Sequence, residues 1–290
     1  MNFLYKKFAE FTRNRKEQKF IKTILQIKHP FLNFNHNNDF ISFSHIGLIG
    51  DIIYSIPCML SLAGERKIKL YLDTTKDSGY SEKLKHYNRG KMLTAESVEF
   101  LKPLILAHPQ IIECTQLEKQ TIDYDLNDFR KYPFDYRMGH ICRWYFLTFG
   151  VTYDLSKPWL FAKPDHQFSN FVILSRSFRY RTPLINYAFL SNYQNLGFIG
   201  LSDEYEDMKK NIPQLQYIKV SNALEMASII AGCKLFIGNQ SFPFSVAEGL
   251  KVKRVLEVNF ENPNVIVDGA HGYDFCYQPQ FEKIVHSLLG

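Results

Sequence analysis

The chain has 290 residues and a formal net charge of +6, and 46% of its residues are hydrophobic. This length suggests two domains, and no apolar run reaches the roughly 18 residues that a membrane-spanning helix needs. The five cysteines are odd in number and contain no C-x-x-C pair, which argues against a disulfide framework and against a zinc site. The start also lacks the apolar segment of a signal peptide, so we expect a cytoplasmic protein. We also expect no bound cofactor.

Residues 1–28 carry the whole net charge of the chain. They contain eight basic and two acidic side chains, which gives +6, so the remainder is formally neutral. Apolar residues recur there at helical intervals, which predicts a basic amphipathic helix. We expect its phenylalanine face to pack on the rest of the protein. Peripheral contact with the inner face of an anionic membrane, or contact with nucleic acid, is the alternative.

The first strand is predicted at residues 40–44, after a linker at 33–39. Gly47 and Gly50 follow it in a loop and allow a tight turn and the close approach of a ligand. Asp51 comes next, near the start of a helix over 52–62, where the helix dipole favours a carboxylate. It is either the N-cap of this helix or an acidic group of a site. The spacing is neither a dinucleotide-binding fingerprint nor a Walker loop.

Strand and helix patterns then alternate along the chain, with a proline-marked boundary at 157–164. Strands are predicted at 67–72, from 111, at 171–174, at 197–200, at 215–220, at 235–237 and at 254–258. Helices are predicted at 97–106, within 132–150, and at 223–231, 244–250 and 281–289. This alternation predicts an α/β fold of two Rossmann-like, doubly wound domains that face each other across a cleft. The segments are 1–39, 40–160, 161–275 and the closing helix 276–290.

Three arginines follow the strand at 171–174. Arg176, Arg179 and Arg181 lie in a short loop that also contains Ser177. Guanidinium groups at a strand's carboxyl end can clamp a diphosphate with paired hydrogen bonds that lysine cannot reproduce. The alternative is an exposed basic loop.

A turn of small polar residues follows the strand at 235–237 and opens a helix. Gly238, Asn239, Gln240 and Ser241 form this turn. Unpaired N–H groups at a helix start bind anions, and open α/β sheets bind ligands at this edge. Glu248, on the helix that follows, either accepts hydrogen bonds from ribose hydroxyls or is a surface residue.

Metal ligands are not evident. Asp123 and Asp125 form a D-x-D tripeptide, but the strand pattern that surrounds such metal sites is missing. The nine histidines show no H-x-x-x-H spacing. The sequence therefore predicts no metal site.

Two motifs carry a resemblance to a known family. Gly50-Asp51 is followed by an apolar stretch with Pro57 and Leu60, and the second motif runs from Ala231-Gly232-Cys233 through a strand to Ile237-Gly238-Asn239-Gln240-Ser241-Phe242-Pro243. Together they resemble the heptosyltransferase-like glycosyltransferases of family 9, which have the GT-B fold. The family usually has Asp, Gly and His where this chain has Gln240, Phe242 and Ser245.

The resemblance implies inverting, metal-independent transfer of a sugar from a nucleotide-sugar to an acceptor hydroxyl, in glycan or lipopolysaccharide-type assembly. Asp51 would be the general base. Segment 40–160 would hold the acceptor, which is a glycan, a lipid-linked molecule or modified DNA, and segment 161–275 would hold the donor. The implied donor-binding residues are Arg176, Ser177, Arg179, Gly238, Asn239, Gln240, Ser241 and Glu248.

Two other functions fit the sequence. A phage-type glycosyltransferase that acts on modified DNA bases would use the basic N-terminal helix. A non-catalytic sugar-nucleotide-binding protein would explain the three departures from the second motif.

Overall fold

The computed structural model describes residues 3–26, 39–79 and 90–290, which contain two separate parallel β-sheets and their covering helices. Helix α1 (Phe3–Ile24) precedes both sheets. Most of the linker expected at 33–39 lies outside the described residues. The α/β fold predicted from the sequence is confirmed.

The first sheet has four strands in the order β3-β2-β1-β4. Its strands are β1 (Phe40–His45), β2 (Lys67–Leu72), β3 (Ile111–Gln116) and β4 (Tyr124–Asp125). Its helices are α2 (Ile49–Ala63), α3 (Ala95–Leu106) and α4 (Ile141–Phe149), with a 3-10 turn at Leu126–Lys131. All its strand pairs are parallel, so the carboxyl ends of β1 and β2 meet at one edge.

The second sheet has six strands in the order β10-β9-β8-β5-β6-β7. Its strands are β5 (Val172–Ser175), β6 (Leu196–Phe198), β7 (Gln216–Tyr217), β8 (Leu235–Asn239), β9 (Arg254–Glu257) and β10 (Gly272–Phe275). Its helices are α5 (Ser202–Lys209), α6 (Ala223–Gly232), α7 (Phe242–Leu250) and α8 (Gln278–Leu289). The strand order reverses between β5 and β8, where Ser175 pairs with Gly238. Such a switch point is where open α/β sheets bind ligands.

One hydrophobic core continues from the first sheet to the second. It includes Ile52 and Ile56 of α2 and Phe244 and Val246 of α7, all fully buried. Helix α2 packs on α7, and α3 packs on α6. Because the halves meet through packed helices, an open cleft between them stays a prediction, and so do the segment bounds.

The chain crosses from one half to the other over α7. The backbone N–H groups of Trp159 and Leu160 both donate to the carbonyl of Gly249, at 2.9 and 3.1 Å. A Cβ at Gly249 would lie 2.7 Å from the Leu160 side chain and 3.1 Å from Trp159 Nε1. A glycine is therefore needed for this close approach.

Near its end, helix α1 packs on the body. The Phe20 ring packs edge-on against Phe134, with 6.1 Å between ring centroids, and Ile24 packs on the same core. Phe8 and Phe11, however, are 71% and 64% exposed. The expectation that the phenylalanine face packs on the protein is therefore wrong for these two residues. No helix in the described ranges is long and apolar enough to cross a membrane.

Candidate functional site

Asp51 lies in the first turn of α2 and is not its N-cap. Leu48 holds the N-cap position and provides no side-chain cap, so a carboxylate three residues on faces the positive end of the helix dipole. Asp51 Oδ2 accepts a hydrogen bond from Arg130 Nη2 at 3.1 Å. The two side chains are 27% and 31% exposed, so the pair is open to a ligand on one side. The N-cap interpretation of Asp51 is wrong.

Arg130 was not recognised from the sequence, because 79 residues separate it from Asp51. It lies in the 3-10 turn at Leu126–Lys131. Its guanidinium carbon is 4.7 Å from the centroid of the Phe129 ring and 5.6 Å from that of Tyr136. Such cation–π contacts orient a planar guanidinium, so the two rings direct Arg130 towards the Asp51 carboxylate.

His45 braces the glycine loop from inside the protein. Its Nδ1 accepts a hydrogen bond from the Gly47 N–H at 2.8 Å, and its Nε2 lies 2.8 Å from the Tyr145 hydroxyl. Since Nδ1 is an acceptor, the proton is on Nε2, which donates to Tyr145. Burial, helped by the charge of Arg130, lowers the pKa of His45 to about 3. A Cβ at Gly47 would lie 2.5 Å from this ring, so the loop needs a glycine there.

The starts of α2 and α7 lie against each other. A Cβ built on Gly50 would be 3.8 Å from Phe242 Cα and 3.9 Å from Ser245 Oγ. The glycine loop with Asp51 and the polar turn before α7 therefore lie next to each other, although they belong to different sheets. This contact brings together the two motifs that the sequence singled out.

The polar turn leaves the start of α7 without a side-chain cap in the described structure. Ser241 occupies the N-cap position, is partly exposed, and its hydroxyl donates to the Asn239 carbonyl at 3.3 Å. Uncapped N–H groups and a nearby hydroxyl can bind an anion. The observed geometry is thus compatible with the predicted phosphate site.

Asn239 and Gln240 fasten this turn to its neighbours. Asn239 Nδ2 donates to the Ser177 carbonyl at 2.8 Å, and its Oδ1 accepts from the Ser177 N–H at 3.0 Å. Gln240 Oε1 accepts from the Asn259 N–H at 2.7 Å, while its Nε2 donates to Asn264 Oδ1 at 2.6 Å. Both side chains are buried and fully engaged, so they position the turn rather than face a ligand.

Arg176 is buried, whereas the sequence predicted that its guanidinium would be open to clamp the donor diphosphate. Its Nε and Nη2 donate to the two carboxylate oxygens of Glu257 at 2.7 and 2.9 Å, and Nη2 also reaches the carbonyls of Thr182 and Ile185. The bond to Glu257 and nearby negative charge raise its pKa against the opposing effect of burial. Its guanidinium therefore holds the loop to the sheet. Arg179 is the exposed arginine of this loop.

Glu248 is also inside the protein, contrary to the prediction that it binds ribose. It is fully buried, and its carboxylate forms ion pairs with Lys251 and Arg254 and accepts from the Asp268 N–H. These contacts occupy both oxygens. Glu248 stabilises the end of α7 against the loop around Asp268 and has no open side towards the polar turn.

Phe178 is a feature of the site that the sequence did not single out. Its side chain is 49% exposed, and its backbone N–H donates to Glu204 Oε1 at 3.2 Å. The Arg181 guanidinium lies 4.3 Å from its ring centroid and is itself paired with Asp207. Ser177 is fastened to the turn, so the backbone of the adjacent Phe178 is held near it, and the Phe178 ring is half exposed. Such a ring can stack on an aromatic base.

The D-x-D tripeptide joins two strands. Asp123 Oδ2 accepts from the N–H and the hydroxyl of Ser42 at 2.8 and 2.7 Å, and Asp125 Oδ1 accepts from Ser44 Oγ at 3.1 Å. Both carboxylates thus connect β4 to β1. Within the described ranges, no group of three or more His, Cys, Asp or Glu side chains is placed to hold a metal ion. Metal independence itself stays a prediction.

Comparison with known proteins gives matches in structure and none in sequence. No family model and no curated protein matches the sequence. The glycosyl transferase family 9 structure from Veillonella parvula is 15% identical and aligns with a TM-score of 0.51 over 86% of this chain and 88% of its own. The heptosyltransferase WaaC of E. coli, solved with ADP-2-deoxy-2-fluoro heptose, is 8% identical. It aligns with a TM-score of 0.53 over 81% of this chain and 92% of its own.

The chain has the heptosyltransferase fold. Both matches cover most of each partner, so the likeness extends over the two sheets and not over one isolated half. At these identities the matches establish the architecture. The resemblance that the two sequence motifs suggested is thereby confirmed at the level of the fold.

Proposed function

We propose that this protein is a glycosyltransferase that moves a sugar from a nucleotide-sugar donor to an acceptor hydroxyl. The observation that supports this most is the contact between the starts of α2 and α7 at Gly50 and Phe242. The residue next to Gly50 is Asp51, whose carboxylate is partly exposed, and the start of α7 is a helix N-terminus of the kind that can hold a phosphate. One structural neighbour was solved with an analogue of such a donor.

In this proposal the donor diphosphate lies at the start of α7. The N–H groups at the start of the helix and the exposed Arg179 supply positive charge, the Gly238 to Ser241 turn sets where the helix begins, and Ser177 lies beside this turn. The base of the nucleotide stacks on Phe178. Charge develops on the diphosphate as the sugar leaves, so preformed donors there lower the barrier.

Asp51 acts as the general base. Its carboxylate takes the proton of the acceptor hydroxyl while that oxygen attacks the anomeric carbon from the side opposite the diphosphate. The bond from carbon to the diphosphate oxygen breaks, the configuration inverts, and the nucleoside diphosphate leaves. Arg130, bonded to Asp51 Oδ2, positions the carboxylate and leaves Oδ1 for the acceptor.

We also assign the two substrates to different parts of the chain. We propose that residues 40–160 hold the acceptor and 161–275 the donor, without a metal ion, in glycan or lipopolysaccharide-type assembly. The acceptor is a glycan or a lipid-linked molecule. Peripheral contact with a membrane through residues 1–28 is part of this proposal, since Phe8 and Phe11 of α1 are exposed.

A non-catalytic nucleotide-sugar-binding protein is the second candidate. One observation favours it. Gln240 stands where the family usually has Asp, and the hydrogen bonds of its side chain to Asn259 and Asn264 leave no group for the donor. In that case the donor would bind and no transfer would follow.

A thermal-shift screen against ADP-, UDP-, GDP- and CMP-sugars tests the proposal, since a ligand that binds only the folded state raises the melting temperature. We expect one nucleotide class to stabilise the protein. That stabilisation should be reduced in Arg179→Ala and kept in the matched surface variant Arg143→Ala, whose side chain is 50% exposed. An assay for release of the nucleoside diphosphate then distinguishes the two candidate functions, because only a glycosyltransferase releases it. No shift with any of the four classes would contradict both.

A further inference from the structure

Helix α1 has two apolar sides that point in different directions. At about 100° per residue, Phe20 and Ile24 fall on one side, and these two pack on the body. A second set falls within one arc of about 140° on the other side. We call this set the outer face; it consists of Phe8, Phe11, Ile21 and Leu25. Leu25 continues the helix, since its N–H donates to the Ile21 carbonyl at 3.0 Å.

The outer face is largely exposed. Phe8 is 71%, Phe11 64%, Ile21 49% and Leu25 81% exposed. Single exposed apolar residues are common on protein surfaces, but here two exposed pairs, Phe8 with Phe11 and Ile21 with Leu25, lie on one side of one helix, and such grouping indicates an interaction site. Phe8 and Leu25 are about 26 Å apart along the axis, at 1.5 Å per residue. Asn14, Arg15 and Gln18 fall on the same side between the two pairs, so the outer face has an apolar pair at each end and polar residues in the middle.

Positive charge accompanies the outer face. By the same geometry, Arg15 and Lys22 lie inside the arc, Lys19 and Glu10 border it at opposite edges, and Glu17 lies outside it. Residues 1–28 carry the whole +6 of a chain that is otherwise neutral. A partner with a negative surface is thus attracted to this helix rather than to the body. Repulsion between two such helices disfavours a second copy of the chain as the partner.

We propose that the outer face of α1 docks on the surface of an anionic phospholipid bilayer. The helix lies in the plane of the interface, with the four apolar side chains among the acyl chains and Arg15, Lys19 and Lys22 among the head-group phosphates. The opposite side, through Phe20 and Phe134, keeps the body attached. This inference rests on the membrane contact included in the proposed function, and it does not depend on the transfer reaction.

Vesicle flotation of the full chain tests it. We expect binding to vesicles of equimolar phosphatidylcholine and phosphatidylglycerol, weakening in high salt, and little binding to phosphatidylcholine alone. Removing an inserted phenylalanine should reduce partitioning about tenfold or more, so Phe8→Ala and Phe11→Ala together should abolish measurable binding. Arg15→Glu with Lys22→Glu should do the same. Leu184→Ala, at a side chain that is 73% exposed elsewhere, is the matched control and should bind normally.

Unchanged partitioning of the double alanine variant would overturn the proposal, as would equal binding to both kinds of vesicle. Binding to a DNA duplex in place of vesicles, or association of copies that the alanine variant abolishes, would also overturn it. A chain whose melting temperature rises with a nucleotide-sugar but which does not float with vesicles refutes this inference and leaves the proposed function intact.

Discussion

The carboxylate of Asp51 and the guanidinium of Arg130 meet at 3.1 Å, across 79 residues of sequence. The bond joins the first turn of α2 to the 3-10 turn at Leu126–Lys131. It uses one oxygen of Asp51 and leaves the pair partly exposed. This is the arrangement of a carboxylate that is held in place and still accessible.

Arg130→Gln should therefore reduce turnover more than donor binding. The variant removes the group that orients Asp51, and we expect a loss of about tenfold to a hundredfold in kcat with the donor Kd unchanged. Steady-state kinetics and calorimetry on the same preparation check this. Arg137→Gln, at a side chain that is 70% exposed, is the control. An equal loss in donor affinity would show that Arg130 binds the donor instead.

Arg176→Ala and Arg179→Ala should behave differently, although the residues are three apart. Arg176→Ala leaves Glu257 buried without its partner, so we expect a loss of about 3–5 kcal/mol in the free energy of unfolding. Arg179→Ala should leave stability nearly unchanged and weaken donor binding by roughly 1.5–3 kcal/mol. Denaturant unfolding and calorimetry measure the two effects. A stable Arg176→Ala protein with weakened donor binding would restore Arg176 as the diphosphate clamp.

Stability should fall as the pH drops below about 6.5. Burial lowers the pKa of both His45 and His140 from 6.5 to about 3 in the folded protein. Between these values the unfolded chain binds protons that the folded protein does not, so each histidine costs about 1.4 kcal/mol per pH unit as the pH falls. Above pH 6.5, the pKa of histidine in the unfolded chain, neither histidine reduces the free energy of unfolding.

His140→Asn isolates one of these histidines. His140 is the N-cap of α4, a position that asparagine also fills well. Melting temperatures measured from pH 7 to pH 4 should depend less steeply on pH in this variant, whereas exposed His286→Asn should keep the slope of the parent protein. An unchanged slope in His140→Asn would show that His140 is not buried in its neutral form.

Donor binding and turnover should survive chelation. The proposed site stabilises the diphosphate with the start of α7 and Arg179, so EDTA should change neither the thermal shift nor the rate. The measurement compares the chelated protein with the same protein after manganese is added back. Loss of activity with EDTA and recovery with manganese would require a metal at the diphosphate.

Local patterns allowed much of the fold to be predicted. The βα alternation, the buried strands β1, β2, β5 and β8 and the helices that follow them carry strong apolar signals. Three elements were missed or left undefined. Strand β4 has two residues, the edge strand β10 is half exposed, and α5 is mostly polar. None of the three therefore shows apolar residues at the regular spacing of a strand or a helix.

The site was predicted only where its residues are close in sequence. The turn from Gly238 to Ser241 and the loop from Gly47 to Asp51 were found by local spacing. Arg130 was missed because its partner is distant in sequence. Arg176 and Glu248 were misassigned because their charges are satisfied by Glu257, Lys251 and Arg254, and a sequence does not show such pairing.

The rate of Asp51→Asn tests the central claim most directly. Asparagine keeps the size of the side chain and removes its basicity, so the fold and the donor affinity should remain while turnover falls roughly 10²–10⁴-fold. Melting temperature, donor Kd and the rate of nucleoside diphosphate release are measured on one preparation. A variant that binds the donor normally and releases nucleoside diphosphate at a near-normal rate would remove Asp51 from the mechanism and contradict the account.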